Sequence, residues 1–271
     1  MSGTMVHGVL IIYSIIALWP ILLVLFNSFK SRKGIFRDPM AFPTAETFST
    51  IGFDKVLGRS NFDVYFMNSI TVTVMTLGIT LLIGAMAAWA LAGYKYRLNT
   101  LLAFYLAIGI MVPIRLGTVS ILKLVVAMGL MNSLTALILV YIAMSLPLTI
   151  FILNEFMQQI PNDLKEAARC DGVSEYRIFF QIILPLTKPA IATVGVFTMV
   201  PVWNDLWFPL ILTADDSVRT VTLGVQQFVG QYVTDWNSVL ASLTLAIVPV
   251  FILYIIFSRQ LIRGITAGAV K

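Results

Sequence analysis

Apolar positions in this chain gather into long runs instead of the alternating pattern of strands or the three-and-four spacing of surface helices. Four runs, 8–29, 68–93, 133–154 and 239–258, contain no Asp, Glu, Lys or Arg. About 20 apolar residues in helical form cross a hydrocarbon core, so each run predicts a membrane span, the last two extending to 156 and 260. A fifth run, 187–212, is broken only by Lys188 at its start and by Asn204 and Asp205 near its end. Leu101–Val112 is short, about 12 residues before Pro113 and Arg115. It completes a span over 98–116 if Leu98 and Asn99 begin it and Arg115 snorkels to the interface. Ser120–Leu130, with Lys123 set against Val125, Val126 and Met128, predicts a short interfacial helix. The expected fold is therefore an all-α membrane protein, one domain over 1–271. Its six transmembrane helices lie at about 8–29, 68–93, 98–116, 133–156, 187–212 and 239–260. Pro20, Pro147, Pro201, Pro209 and Pro249 fall inside spans. Neighbouring helices can re-satisfy the backbone there, so these prolines read as packing features or bends.

Composition agrees with the pattern. The 271 residues are 59% hydrophobic and 11% charged, with a mean hydropathy of +0.92, too little charge for a soluble domain of this size. The net charge of +5 belongs to loops, since no basic run interleaved with aromatics offers a nucleic-acid surface. One cysteine, Cys170, and one histidine, His7, exclude an internal disulfide and a His/Cys metal site. Run 8–29 lacks a basic leader and an A-x-A cleavage site before Lys30, and reads as a retained helix. Six helices place both termini on one side. If that side is cytoplasmic, inner and outer segments carry nine Lys/Arg each, six of the outer ones in 30–67. Charge alone therefore does not choose an orientation.

The interval 157–186 is too polar to cross a bilayer yet patterned. Pro161 ends the preceding helix, and Asn162 or Asp163 is placed to cap the next. Ile160, Leu164, Ala167 and Ala168 then share one apolar face. Gly172 suits a left-handed helix end. Ser174 is placed to cap a second helix whose apolar stripe is Tyr176, Phe179, Phe180, Ile183 and Leu184, closed by Pro185. The same residues carry a spacing: Glu166-Ala167-Ala168, three residues, Gly172, nine residues, then Ile182-x-Leu184-Pro185.

That spacing resembles the cytoplasmic loop of permease subunits in binding-protein-dependent ABC importers. The resemblance implies a coupling helix between spans four and five that docks into a separate ATPase subunit, with Glu166, Ala167, Ala168, Asp171, Gly172 and Pro185 as coupling residues. It also places both termini in the cytoplasm and the chain in the bacterial inner membrane. A second feature, Arg263–Lys271 (RGITAGAVK), is similar to the tail of the smaller permease of the maltose-type sugar importers. There Gly264, Thr266 and Gly268 would reach the ATPase; by residue type alone the segment reads as a disordered end. A third feature, Val202–Leu212 (VWNDLWFPLIL), resembles the outer end of that family's fifth helix. Trp203 and Trp207, four apart, with Asn204 and Asp205 beside them, fit a sugar path. They equally fit an interfacial aromatic belt. Thr73, Thr76 and Thr80 share a helix face and read as packing.

No G-x-x-x-x-G-K-[ST] occurs, so the chain has no phosphate loop of its own. The expectation is a permease, not an enzyme, that moves a sugar or sugar derivative. ATP and Mg would be bound by two partner ATPases. The other expected partners are a second permease, membrane lipid and an extracytoplasmic solute-binding protein. The alternative is an ion-coupled secondary transporter, which would need titratable groups at membrane depth; the spans are almost bare of them.

Overall fold

The computed structural model describes residues 3–94, 96–230 and 232–269, with side chains at all of these except 3, 59, 253 and 256–269. In chain order the helices begin with α1 (Gly3–Ser28), α2 (Arg32–Arg37), α3 (Ile51–Arg59) and α4 (Phe62–Gly93). Next come α5 (Asn99–Met111), a 3-10 turn (Ile114–Gly117), α6 (Thr118–Ala127), α7 (Leu134–Gln158) and α8 (Asn162–Cys170). After α8, α9 (Glu175–Arg177), a π-helical turn (Ile178–Ile183) and α10 (Leu184–Leu186) form one continuous rod. The remainder is α11 (Lys188–Asn204), α12 (Trp207–Leu212), a 3-10 turn (Asp216–Val218), α13 (Val221–Gln226) and α14 (Trp236–Ala269). Among the described residues, two isolated bridges stand in place of strands.

Three helices are long and apolar enough to span: Thr4–Ser28, Phe62–Gly93 and Leu134–Gln158. Two further apolar stretches are bent helix pairs that reach span length only when the two halves are counted together, where the sequence reading has straight helices. The helix expected over 98–116 stops at Met111 and turns by 84° into 114–127. Pro113 has no N–H to offer and forces Val112 out of the helical region, to ψ 120°. At 13 residues α5 is about 20 Å long, short of a hydrocarbon core of about 30 Å. The span expected over 187–212 breaks at Asp205, whose ψ is 133°. A second bend, of 75°, separates Glu175–Leu186 from Lys188–Asn204. The last expected span falls on α14, whose apolar part among the described residues is Trp236–Ile252.

The chain separates into two compact units, Met1–Met67 with Arg219–Val250, and Asn68–Val218 with Phe251–Lys271. The first packs Val56, Phe62, Tyr65, Val221 and Val239 into one apolar cluster. Its polar centre is Lys30, only 1% exposed. The Lys30 Nζ donates to the Asp38 carbonyl at 2.8 Å and to Asn27 Oδ1 at 3.1 Å. Asn27 Nδ2 in turn donates to the carbonyls of Leu23 and Pro39. Burial lowers the Lys30 ammonium below the usual lysine range, against the pull of Asp38.

The second unit has two apolar clusters. One joins Ala85, Ala88 and Trp89 of α4, Ile150, Leu153 and Met157 of α7, and Ile178, Phe179 and Ile183 of the π turn. The other gathers Val72, Leu137, Tyr141, Val202, Phe208 and Leu212. α5 lies on α7 where a Cβ at Gly109 would sit 3.1 Å from the Pro147 ring, so Pro147 is a packing feature. Thr73, Thr76 and Thr80 are buried on one face of α4.

Candidate functional site

The loop between α7 and α11 is built on a helix end that only glycine accommodates easily. α8 closes with hydrogen bonds from Gly172 N to Arg169 O and from Val173 N to Ala168 O, both 3.0 Å, around a Gly172 φ of +71°. Those two bonds satisfy the last carbonyls of the helix while the chain reverses. Across the reversal, Arg169 grips Glu175 through Nε–Oε1 at 2.6 Å and Nη2–Oε2 at 3.3 Å. Tyr94, just past the end of α4, is pushed above the usual tyrosine range by burial and by the nearby Glu175 carboxylate. The turn and the bidentate pair hold α8 and α9 as one assembly, with the end of α4 beside it.

Which face of α8 points inward differs from the amphipathic reading. Leu164 and Ala167 are exposed; Lys165, at 3% exposure, and Ala168 are buried. The Lys165 Nζ lies 5.4 Å from the Trp89 ring centroid and 3.2 Å from Asn162 Oδ1. Burial, then the nearby charge of Arg169, lowers its ammonium below the ordinary lysine range. An aromatic face and an amide carbonyl thus take the place of water around this cation. Asn162 is occupied by that bond, so neither it nor Asp163 caps α8: the cap position is Pro161, with no side-chain bond. Small Ala168 lets the helix close onto the cluster of Trp89, Met157 and Ile178. Glu166, Ala167, Asp171 and Gly172 face away from it, and Pro185 is exposed near the end of the second rod.

The second rod also departs from the expected stripe. Tyr176 and Phe180 are exposed, whereas Ile178, Phe179 and Ile183 are buried. The wider π turn brings residues five apart into line, so Ile183 falls over Ile178 where an α-helix would offer Ile182. Ser174 stands at the cap position of α9 without a side-chain bond. The rod ends at Thr187, whose hydroxyl donates back to Ile183 O at 3.0 Å.

The polar knot of the fifth apolar run forms a different kind of site. Trp203 and Trp207 do not share a face, because the backbone straightens between them. Trp203 is 4% exposed in α11, and Trp207, 40% exposed, begins α12. Asp205 Oδ2 accepts from the Tyr141 hydroxyl at 2.9 Å and from Phe208 N at 3.0 Å, so Asp205 caps α12 at the break. Arg115, in the elbow after α5, approaches Asp205 Oδ1 at 3.9 Å and lies 5.8 Å over the Trp207 ring. Trp207 Nε1 donates to Thr118 Oγ1 at 3.0 Å. The elbow and the break are therefore fastened to each other, with Arg115, Trp207 and Asn204 left open to the outside. Thr118 and Tyr141 were not singled out by the sequence, and Arg115 was read only as a residue snorkelling at the end of a span. The further signal for Arg115 was its place two residues after a helix-ending proline.

The tail residues Gly264, Thr266 and Gly268 lie on the α14 backbone, but their side chains are outside the described residues, as is Lys271 altogether.

Residues 80–267 match the family described as binding-protein-dependent transport system inner membrane component. The chain is 32% identical to the diacetylchitobiose uptake system permease protein of Streptomyces coelicolor, over 98% of this chain and 88% of that protein. It is likewise 32% identical to the sulfoquinovosyl glycerol transport system permease protein of Agrobacterium fabrum, over 94% of this chain and 89% of the relative. Among solved structures, a bacterial ABC transporter involved in the import of the acidic polysaccharide alginate superposes with a TM-score of 0.80. That match covers 95% of each chain at 21% identity.

Proposed function

Because the chain belongs to the inner membrane components of binding-protein-dependent transport systems, we propose that it forms half of a sugar path whose opening is driven through the exposed face of α8. It is a multi-pass permease subunit of an ABC importer and carries no ATPase of its own. The cargo in this reading is a sugar or sugar derivative, supported by relatives named for diacetylchitobiose and sulfoquinovosyl glycerol uptake. A second permease completes the path, an extracytoplasmic binding protein delivers the cargo, and two ATPases bind ATP and Mg. The apolar window of α1 has no buried residue inside this chain. Such a face is free to meet lipid or the second permease.

One observation carries the coupling assignment. α8 is fastened on its inner side by Lys165 and Ala168, which leaves Glu166, Ala167, Asp171 and Gly172 as an outward face. A helix held from behind and bare in front fits a groove on a partner. Motion received there passes to α4 through Lys165 and Trp89. The loop and both termini are then cytoplasmic, and Gly264, Thr266 and Gly268 make a second contact with the ATPase.

Cys170, the chain's single cysteine and exposed at the end of α8, is a native reporter. In intact cells it should react with a membrane-permeant maleimide and be spared by an impermeant one. In purified complexes, assembly with the ATPase should slow its alkylation at least several-fold. Equal labelling with and without the ATPase would remove α8 as the docking element.

For the cargo path, Trp207 and Asn204 at the break, with Arg115 over the indole, present an aromatic face beside hydrogen-bonding groups; Asp205 sets their geometry and Trp203 packs behind. Trp207→Ala should raise the half-saturating concentration of binding-protein-delivered sugar for uptake several-fold. The same substitution should leave ATPase assembly intact. Unchanged uptake kinetics would reduce Trp207 to an interfacial anchor.

A further inference from the structure

The short helix α2 has no part in the coupling loop or the sugar path, yet it is tied down at both ends. It starts four residues beyond the end of α1, so its first turn lies within about 14 Å of the end of that span. Its far end is pulled back to the same level: Lys30 Nζ holds the Asp38 carbonyl, and Asn27 Nδ2 holds the Pro39 carbonyl. α2 therefore lies along the membrane border, in a headgroup layer about 5–8 Å deep. Gly34 and Ile35 turn inward; Arg32, Lys33, Phe36 and Arg37 are exposed.

Under α2 runs a groove of about 320 Å³ between the last turns of α1, Pro39 and the start of α14, within the range of small-molecule sites, roughly 300–1,000 Å³. Its walls include Leu23, Val24, Ile35, Trp236 and Leu240. Phe36 meets Trp236 edge-on at 6.4 Å across it. The exposed charges of α2 itself are one-sided: Arg32, Lys33 and Arg37 stand against Asp38 at its end, 3.7 Å from Arg37 in an exposed pair that contributes little. The nearby carboxylate beyond the helix is Glu46, beside the Thr47 that packs on Gly34.

We propose that α2 and the groove beneath it bind an anionic phospholipid, its phosphate on Arg32 and Lys33 and an acyl chain along Leu23, Trp236 and Leu240. Aromatic side chains with an apolar body and basic residues beside an apolar slot are what an interfacial lipid meets at a helix of this kind. Cationic complementarity favours phosphatidylglycerol over a zwitterionic lipid.

The test uses the assembled transporter in nanodiscs of phosphatidylglycerol or phosphatidylcholine, read by retained-lipid mass spectrometry and thermal midpoint. Wild type should retain phosphatidylglycerol and melt higher in it than in phosphatidylcholine. Each cation removed should weaken retention about fivefold, so Arg32→Gln, Lys33→Gln and Arg37→Gln together should remove nearly all of it. All three side chains are exposed, so the triple variant should match wild type in phosphatidylcholine. Leu240→Trp, which fills the slot with the charges intact, should also lower retention. Equal retention by the triple variant and wild type overturns the proposal. So does retained lipid with loss of binding-protein stimulation, which would make this face a protein interface.

Discussion

Gly172→Val should reduce ATP-driven uptake by the assembled transporter about tenfold or more, while Gly172→Asn should keep most of it. Gly172 has a φ of +71°, and a Cβ there would meet nothing within 4 Å. The substitution therefore acts through backbone conformation and not through a clash. Left-handed backbone costs an ordinary residue about 1–2 kcal/mol, and a β-branched one tolerates it worst. At about 1.4 kcal/mol per factor of ten, that is enough to empty the closed turn. Losing it releases the bonds from Gly172 and Val173 to the end of α8 and swings Glu175 away from Arg169. Asparagine adopts the left-handed region with less strain, so it separates the turn from any need for glycine as such. The comparison is uptake in proteoliposomes at equal amounts of assembled complex. Equal uptake by the valine and asparagine variants would detach the turn from coupling.

Trp89→Ala should cost the second unit about 3–5 kcal/mol of stability. Trp89 is 7% exposed and stands among Leu153, Met157, Ala168 and Ile178, so its removal opens a cavity where α4, α7 and α8 meet. It also strips the cation of Lys165 of its aromatic partner. A buried charge left without compensation is costly, whereas an apolar side chain of similar volume in its place is often tolerated. Lys165→Met alone should therefore melt close to wild type, and adding it to Trp89→Ala should recover part of the loss. Denaturation midpoints of the solubilised complex, taken as a double-mutant cycle, read both effects. A Trp89→Ala variant within about 1 kcal/mol of wild type would mean the three helices are held together elsewhere.

Much of the spanning architecture could be read from the chain because charge-free runs in a membrane protein have few alternatives. Gly172 was legible for a similar reason: a glycine after a polar helix answers a specific backbone need, and the turn at φ +71° meets it. Lys165 was not legible. In a helix that also holds Asp163, Glu166 and Arg169, one more charge reads as surface, and only the tertiary position of Trp89 turns it inward. The break at Asp205 had a local signal that the run of apolar residues masked: Pro209, four residues on, cannot donate to the Asp205 carbonyl and crowds it. The Asp205 side chain then fixes the interruption by accepting from the Phe208 amide and from the Tyr141 hydroxyl, the second of which lies outside any local pattern. The stripe on the second rod holds at Phe179 and Ile183 but fails at Tyr176 and Phe180 and misses Ile178, because a period of 3.6 was applied to a stretch that is π-helical from 178 to 183.

That π turn also gives the loop slack. A helix holding one surplus residue can lose it and remain a helix, so a single deletion between 178 and 183 leaves a rod of nearly the same reach whose downstream side chains keep nearly the same bearing. The wide turn absorbs the count of residues while Thr187 and everything after it stay in phase. Chains of this kind that differ by one residue here would still present the same loop to a partner.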